Sequence, residues 1–183
     1  MALPTSERSF FSSLSLASAM GGAVYISLAM EANDDRMMRI ALGMAKAAAL
    51  RGEVPVGAVL ARDDEVIARA SNRRERGRDA TAHAEILAIR AACRRLSSWR
   101  LSGLTLYATL EPCPMCAGAL VQARIARLVY GAPDPKAGAA GTLYDIPRDG
   151  RLNHRLEVAG GVLAEASSAL LRDFFRDRRG PSR

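Results

Sequence analysis

The chain has too few cysteines for a disulfide framework. Its 183 residues hold only Cys93, Cys113 and Cys116, an odd count with one close pair. No apolar run is long enough to span a membrane. The first thirty residues lack the basic start and unbroken apolar core of a secretory signal. Lysine is almost missing, Lys46 and Lys136 being the only two, and no internal repeat is evident. These gaps set aside a disulfide-stapled secreted scaffold, a helical membrane protein and a repeat array. A reduced domain in the cytoplasm is the expectation.

What is present is an ordinary bulk with an unusual charge. A hydrophobic fraction of 49% with 25% charged residues suits one domain that buries a sizeable core. The net charge of +7 and pI near 10 favour a polyanionic partner, of which nucleic acid is the commonest. Nearly all of the positive charge is arginine, whose planar fork grips phosphate and stacks on bases. A genome rich in G and C would favour arginine too, so charge alone does not decide.

Ser6 to Met30 is rich in Ser, Ala and Gly, with only Glu7 and Arg8 charged. Residues 1–30 are expected to be a poorly ordered extension, or translated sequence upstream of the true start. The functional domain is then 31–183, with Asn33 or Asp34 capping its first helix. Met37, Met38, Ile40, Ala41, Met44, Ala45, Ala48 and Ala49 recur at helical spacing over 35–51, and Gly52 stops that helix. Strands over 54–60 and 65–70 make a hairpin about Asp63-Asp64, followed by a polar loop over 71–79. A second helix runs from near His83, capped by Thr81, to about Leu96, with Cys93 buried on its apolar side. Strand 104–110, a helix from the Pro112–Cys116 turn to Ala123, strand 126–131, a Gly/Ala/Pro-rich loop over 132–152 and strand 156–158 follow. Helix 165–178 closes the chain, its Leu170, Leu171, Phe174 and Phe175 packed on the sheet. The alternation predicts an α/β fold, a three-layer α/β/α sandwich about a mixed five-stranded sheet.

The chemistry sits at two predicted helix starts. His83, Cys113 and Cys116 are three ligands that suit zinc, and a catalytic zinc keeps three protein ligands and one open position. Cys113 and Cys116, three apart on one turn, can face the same ion. A helix start lowers a thiol pKa, which favours the thiolates a metal requires. Glu85 is the carboxylate that hydrolytic chemistry needs as acid and base. Two readings stand beside the open zinc: a closed structural site with His154 as fourth ligand, and a metal-free dithiol. The second leaves His83-Ala84-Glu85 without a use.

His83-Ala84-Glu85 with Pro112-Cys113-x-x-Cys116 resembles the zinc nucleoside and nucleobase deaminase superfamily. The segments Glu53–Val59, Asn72-Arg73, Thr109–Cys113, Asp134–Gly141, Leu152–Arg155 and Asp173–Arg176 are similar to the bacterial tRNA-specific adenosine-34 deaminases. That resemblance spans about residues 34–179. It implies a cytidine deaminase-like fold, a homodimer, and one Zn2+ per subunit on His83, Cys113 and Cys116. The implied substrate is a tRNA anticodon stem-loop, whose adenosine at wobble position 34 is hydrolysed to inosine. Zinc-bound hydroxide would attack C6 while Glu85 shuttles the protons. By the same resemblance Asn72 bonds the flipped nucleoside and the Ala84 N–H helps to read the base. Asp134 and Lys136 contact anticodon nucleotides, and Asn153 and His154 approach the RNA. Arg172, Arg176, Arg178 and Arg179 are expected to reach the RNA backbone. A free nucleobase or nucleoside deaminase for guanine, cytosine or cytidine would share this chemistry. A zinc-stabilised RNA-binding module without activity would leave Glu85 no task.

Overall fold

Side chains at alternate positions along the strands divide into two apolar sets, and that division builds the layers. The structure, a computed structural model, describes the backbone of residues 10–179 and the side chains of residues 30–178. Its elements are α1 (Phe10–Ala49), β1 (Gly57–Arg62), β2 (Glu65–Ser71), α2 (Arg74–Gly77), α3 (Ala84–Leu96), β3 (Thr105–Leu110), α4 (Pro114–Gln122), β4 (Arg127–Ala132), β5 (Glu157–Gly160) and α5 (Ala164–Arg179). The strands form one sheet in the order β2-β1-β3-β4-β5. β1 is antiparallel to both β2 and β3, whereas β3–β4 and β4–β5 are parallel. The expected mixed five-stranded sheet is present.

Ala58, Leu60, Leu106, Ala108 and Leu128 face one way and bury Ala84, Ala88, Ile89 and Ala92 of α3 with Leu120 and Val121 of α4. Val59, Ala61, Tyr107 and Val129 face the other way, onto Met37, Met38 and Ala41 of α1. α5 packs on that second face over β4, where Ser167 lies against Gly131. Helices on both faces complete the three layers. Each fully buried methionine or leucine contributes about 1.5–3 kcal/mol. At Gly57 α1 lies directly against the sheet: a Cβ there would meet the Ala41 carbonyl oxygen at 2.0 Å. No other residue fits that approach.

The chain divides into two units, Met1–Asn33 and Asp34–Arg183. The sheet and every helix after α1 lie in the second. The expectation for residues 1–30 falls almost wholly outside the described side chains. Asn33 and Asp34, expected to cap a helix, are inside α1 instead. Asp34 is buried, and its carboxylate accepts two bonds from Arg127 and one from the Tyr107 hydroxyl. A tertiary partner outweighs its local capping preference.

Smaller differences have equally local causes. Residues 74–77, read as loop, form one helical turn held by the buried Glu53 carboxylate, which accepts from the N–H groups of Glu75 and Arg76. Thr81 does not cap α3; it bonds the Asp79 side chain, and His83 takes the cap position in extended conformation. Cys93 is half-buried rather than sealed in the core. Phe175 is 40% exposed, because the packed side of α5 runs through Ser167, Leu170 and Phe174. Among the described residues no helix is long and apolar enough to cross a membrane.

Candidate active site

The parallel pair β3–β4 and the antiparallel β1 bring four chain segments to one edge of the sheet. β3 ends at Leu110 and leads through Pro112 into Cys113, the N-cap of α4, with Pro114 at the first helical position. Proline suits that position because its missing N–H would have no partner there. β2 ends at Ser71 opposite the start of β1, so Asn72 emerges at the same edge. The Arg73 N–H donates to the Ala82 carbonyl oxygen, tying this segment to the residue before His83. α3 and α4 therefore begin side by side, with His83 and Cys113 as their caps.

His83 Nδ1 lies 3.6 Å from Cys113 Sγ and 3.5 Å from Cys116 Sγ. The three ligand atoms are all within 4.8 Å of one another. Around a tetrahedral zinc, bonds of about 2.3 Å to sulfur and about 2.0–2.1 Å to nitrogen set a sulfur–nitrogen edge of about 3.6 Å. The donor set and its spacing fit that ion. Electrostatics point the same way. Hydrogen bonds from Cys116 and then His83 pull the Cys113 thiol down to about 4, against burial. Its bond to Cys113, together with burial, pushes the Cys116 thiol well up. The hydrogen bond to Cys113 raises His83 above its ordinary value. The bare cluster thus accommodates one thiolate readily, and a second needs a cation.

Glu85 is buried at 4% exposure, and its Oε2 has no hydrogen-bond partner. Burial holds its carboxyl above the ordinary range. A sealed carboxylate oxygen without a partner costs about 1–3 kcal/mol, so it marks a place where a ligand or water completes the site. A metal ion on His83, Cys113 and Cys116 with this carboxyl beside it would make a hydrolytic centre.

The chain matches the family model of the MafB19-like deaminases over residues 32–179. It is 51% identical over 146 residues to the tRNA-specific adenosine deaminase of Bacillus subtilis, covering 80% of this chain and 91% of that protein. The chain belongs to this deaminase family. A solved structure from a study of A-to-I editing by tRNA:A34 deaminases superposes with a TM-score of 0.72 at 47% identity, covering 74% of this chain and 99% of that one. The guanine deaminase of Nitrosomonas europaea has a TM-score of 0.66 at 31% identity, over 76% of this chain and 83% of that one. The protein is a deaminase-family enzyme with the cytidine deaminase-like fold.

In this deaminase the sequence-predicted residues fall into two groups. Asn72 is buried at the same edge of the sheet as the cluster, and Ala84 is the first residue of α3, fully buried. Asp134 and Lys136 lie in the loop after β4, at the same carboxyl edge, where the Asp134 carboxylate accepts the Lys136 N–H at 2.9 Å. Asn153 and His154 lie elsewhere. Asn153 accepts from Arg124, and His154 Nε2 donates to the Ile125 carbonyl oxygen at 2.6 Å. Both partners precede β4, so this pair belongs to the amino edge of the parallel strands. His154 is not in the metal-binding group found among the described residues, which is His83, Cys113 and Cys116. The closed four-ligand reading therefore has no fourth ligand. Arg172 and Arg176 are engaged with Glu165 and Asp173, and Arg178 donates to the Gly52 carbonyl oxygen. The Arg179 side chain lies outside the described residues.

One organiser of the site was missed as such. Glu111, buried at 2% exposure, accepts the N–H groups of Asp134, Ala140 and Thr142 and the Thr142 hydroxyl. It fastens the Asp134 loop to the segment that carries Cys113. Its only signal in the sequence is a lone acid immediately before Pro112, on the end of an apolar strand.

Proposed function

We propose that this deaminase hydrolyses adenosine to inosine at wobble position 34 of a tRNA, with one zinc ion per subunit on His83, Cys113 and Cys116. The observation that carries the chemistry is the buried Glu85 carboxylate, its Oε2 without a hydrogen-bond partner, beside a His/Cys/Cys group of zinc dimensions. The observation that carries the substrate is the half-identity to a tRNA-specific adenosine deaminase across nearly its whole length.

When bound, the ion supplies the Lewis acidity that makes water nucleophilic near neutral pH. The chain's own groups do the rest. Glu85 accepts a proton from the attacking water and delivers it to N1 of adenine as C6 becomes tetrahedral. It then carries a second proton to the amino group, which leaves as ammonia, so that adenosine and water become inosine and ammonia. The raised pKa of Glu85 suits this traffic, because a carboxyl nearer neutrality both takes and returns protons. Asn72 holds the extruded nucleoside and the Ala84 N–H contacts the base. Asp134 and Lys136 meet the flanking nucleotides, held where Glu111 fixes their loop. Such splayed loop bases are the usual basis of specific RNA recognition.

The test is turnover by the zinc-loaded protein on an anticodon stem-loop with adenosine at position 34, beside free guanine, cytosine and cytidine. Inosine from the stem-loop alone is the expected result. Ammonia from guanine with the stem-loop untouched would move the protein to the second reading, which the Nitrosomonas europaea relative supports. Two further parts of the proposal are a cytoplasmic homodimer and a functional domain of residues 31–183. Light scattering tests the first, and undiminished turnover after removal of residues 1–29 the second. The start of the family match at residue 32 supports that boundary.

A further inference from the structure

Beside the catalytic edge is a cleft of about 420 Å3 lined by Arg51, Arg73, Arg76 and Gly77. Three arginines on one open space bring like charges together, and an anion between them would offset that cost. Among the described residues no carboxylate forms an ion pair with any of the three, although other arginines there do, as Arg95 does with Glu65 and Arg127 with Asp34. Arg51 donates to the Ser71 hydroxyl at 2.6 Å, so its head is aimed rather than free. The Arg76 backbone is fixed by Glu53, which is fully buried and spends its two oxygens on the N–H groups of Glu75 and Arg76. The Arg73 backbone is fixed to Ala82, one residue from His83. All three arginines are thus mounted on held segments, and the third follows directly on Asn72.

We propose that this cleft seats a backbone phosphodiester of the substrate RNA, adjoining the nucleotide that Asn72 and Glu85 receive. The inference rests on the RNA reading above and adds its phosphate anchor. Arginine suits the task because its fork meets two phosphate oxygens at once. Phosphate contacts position an RNA without reading it, so the cleft sets register and not base choice. Asn72 and Arg73 are neighbours in sequence, and so the base and its backbone would be gripped by consecutive residues.

The experiment measures binding and turnover of the stem-loop as a function of salt, with wild-type enzyme and with Arg51→Gln, Arg76→Gln and the double variant. Arg94→Gln, at the far end of α3, removes the same charge away from the cleft. Each cleft substitution is expected to raise KM and the dissociation constant about 5-fold at moderate salt, leaving kcat unchanged. Each lowers the slope of log affinity against log salt by part of the single-strand value for one neutralised phosphate, about 0.7, and the double variant by up to that whole value. Arg76→Lys keeps that slope, and Arg94→Gln changes neither quantity. Unchanged slopes in a double variant with wild-type zinc content and circular dichroism overturn the proposal, while wild-type turnover of the stem-loop leaves the RNA reading intact. If wild-type enzyme binds the stem-loop without turning it over, the RNA-editing reading fails, and the slopes still decide the cleft. If it does not bind, both fail. If adenosine 5′-monophosphate competes for the cleft in wild-type but not in the double variant, with unchanged RNA slopes, the cleft serves a free nucleotide and the proposal is overturned.

Discussion

The Glu111 carboxylate accepts the backbone N–H of Asp134 at 3.0 Å, across 23 residues of chain. Ala140, Thr142 and the Thr142 hydroxyl converge on the same carboxylate. Gly138 lies so close that a Cβ would come 2.3 Å from Glu111 Oε2 and 2.6 Å from the Asp134 carbonyl oxygen. The loop proposed to meet the RNA is therefore shaped by one buried acid.

Glu111→Gln keeps one acceptor oxygen but turns an amide NH2 toward two of the four donors that converge there. It should cost about 3 kcal/mol or more. Gly138→Ala should cost a comparable amount by forcing the loop off the carboxylate. Both should raise KM for the stem-loop more than they lower kcat. Urea unfolding measures the first effect, and an unchanged midpoint for Glu111→Gln would show that the loop does not depend on this acid.

Chelation should abolish turnover, and Zn2+ should restore it. Cys116→Ser should lose the ion most severely, because Cys116 is the buried sulfur and a serine oxygen there is a poor ligand for zinc. The check is zinc content by atomic absorption. A wild-type zinc stoichiometry in Cys116→Ser would remove this residue from the ligand set.

The cluster was legible because its causes are local. Cys113 and Cys116 share a turn, and a helix start that favours thiolate follows from sequence alone. The hairpin followed by strands alternating with helices likewise announced the mixed sheet with helices on both faces. What stayed hidden depends on partners distant in sequence. Asp34 has the composition of a cap but pairs with Arg127, 93 residues away. Thr81 has the composition of a cap but is captured by Asp79. Asn153 and His154 carry donor atoms suited to RNA, yet they fasten to Arg124 and Ile125 at the other edge. The arginine cleft could not be seen in a charge count, because it requires the 51, 73 and 76 segments to meet.

Glu85→Gln should lower kcat by a factor on the order of 10^2–10^4 with zinc retained, since the amide cannot carry protons. Glu85→Leu should separate stability from activity. It removes a buried oxygen that has no partner, so the metal-free protein should gain about 1–3 kcal/mol while turnover vanishes. Thermal unfolding of the apo proteins checks it. A lower melting temperature for Glu85→Leu would mean that the carboxylate is satisfied in the folded enzyme.

The Arg127–Asp34 pair offers a test of what locks α1 to the sheet. Arg127 donates to both Asp34 oxygens, at 2.7 and 2.8 Å, and the Tyr107 hydroxyl donates to Asp34 at 3.0 Å. The side chains of Arg127 and Asp34 are 15% and 9% exposed. Arg127 also meets Glu157 at 2.9 Å, but that carboxylate is 63% exposed. The two contacts should therefore differ greatly in worth. Arg127→Met leaves Asp34 charged and buried with only a phenol beside it, which should cost about 3–5 kcal/mol. Glu157→Gln removes a screened partner and should cost less than about 1 kcal/mol. Adding Asp34→Asn to Arg127→Met should recover much of the loss, because the amide oxygen still accepts from Tyr107 and the unpaired charge is gone. Denaturant midpoints for the three variants decide the matter. If Asp34→Asn with Arg127→Met is as unstable as Arg127→Met alone, the loss comes from the packing of the arginine stem and not from a stranded charge.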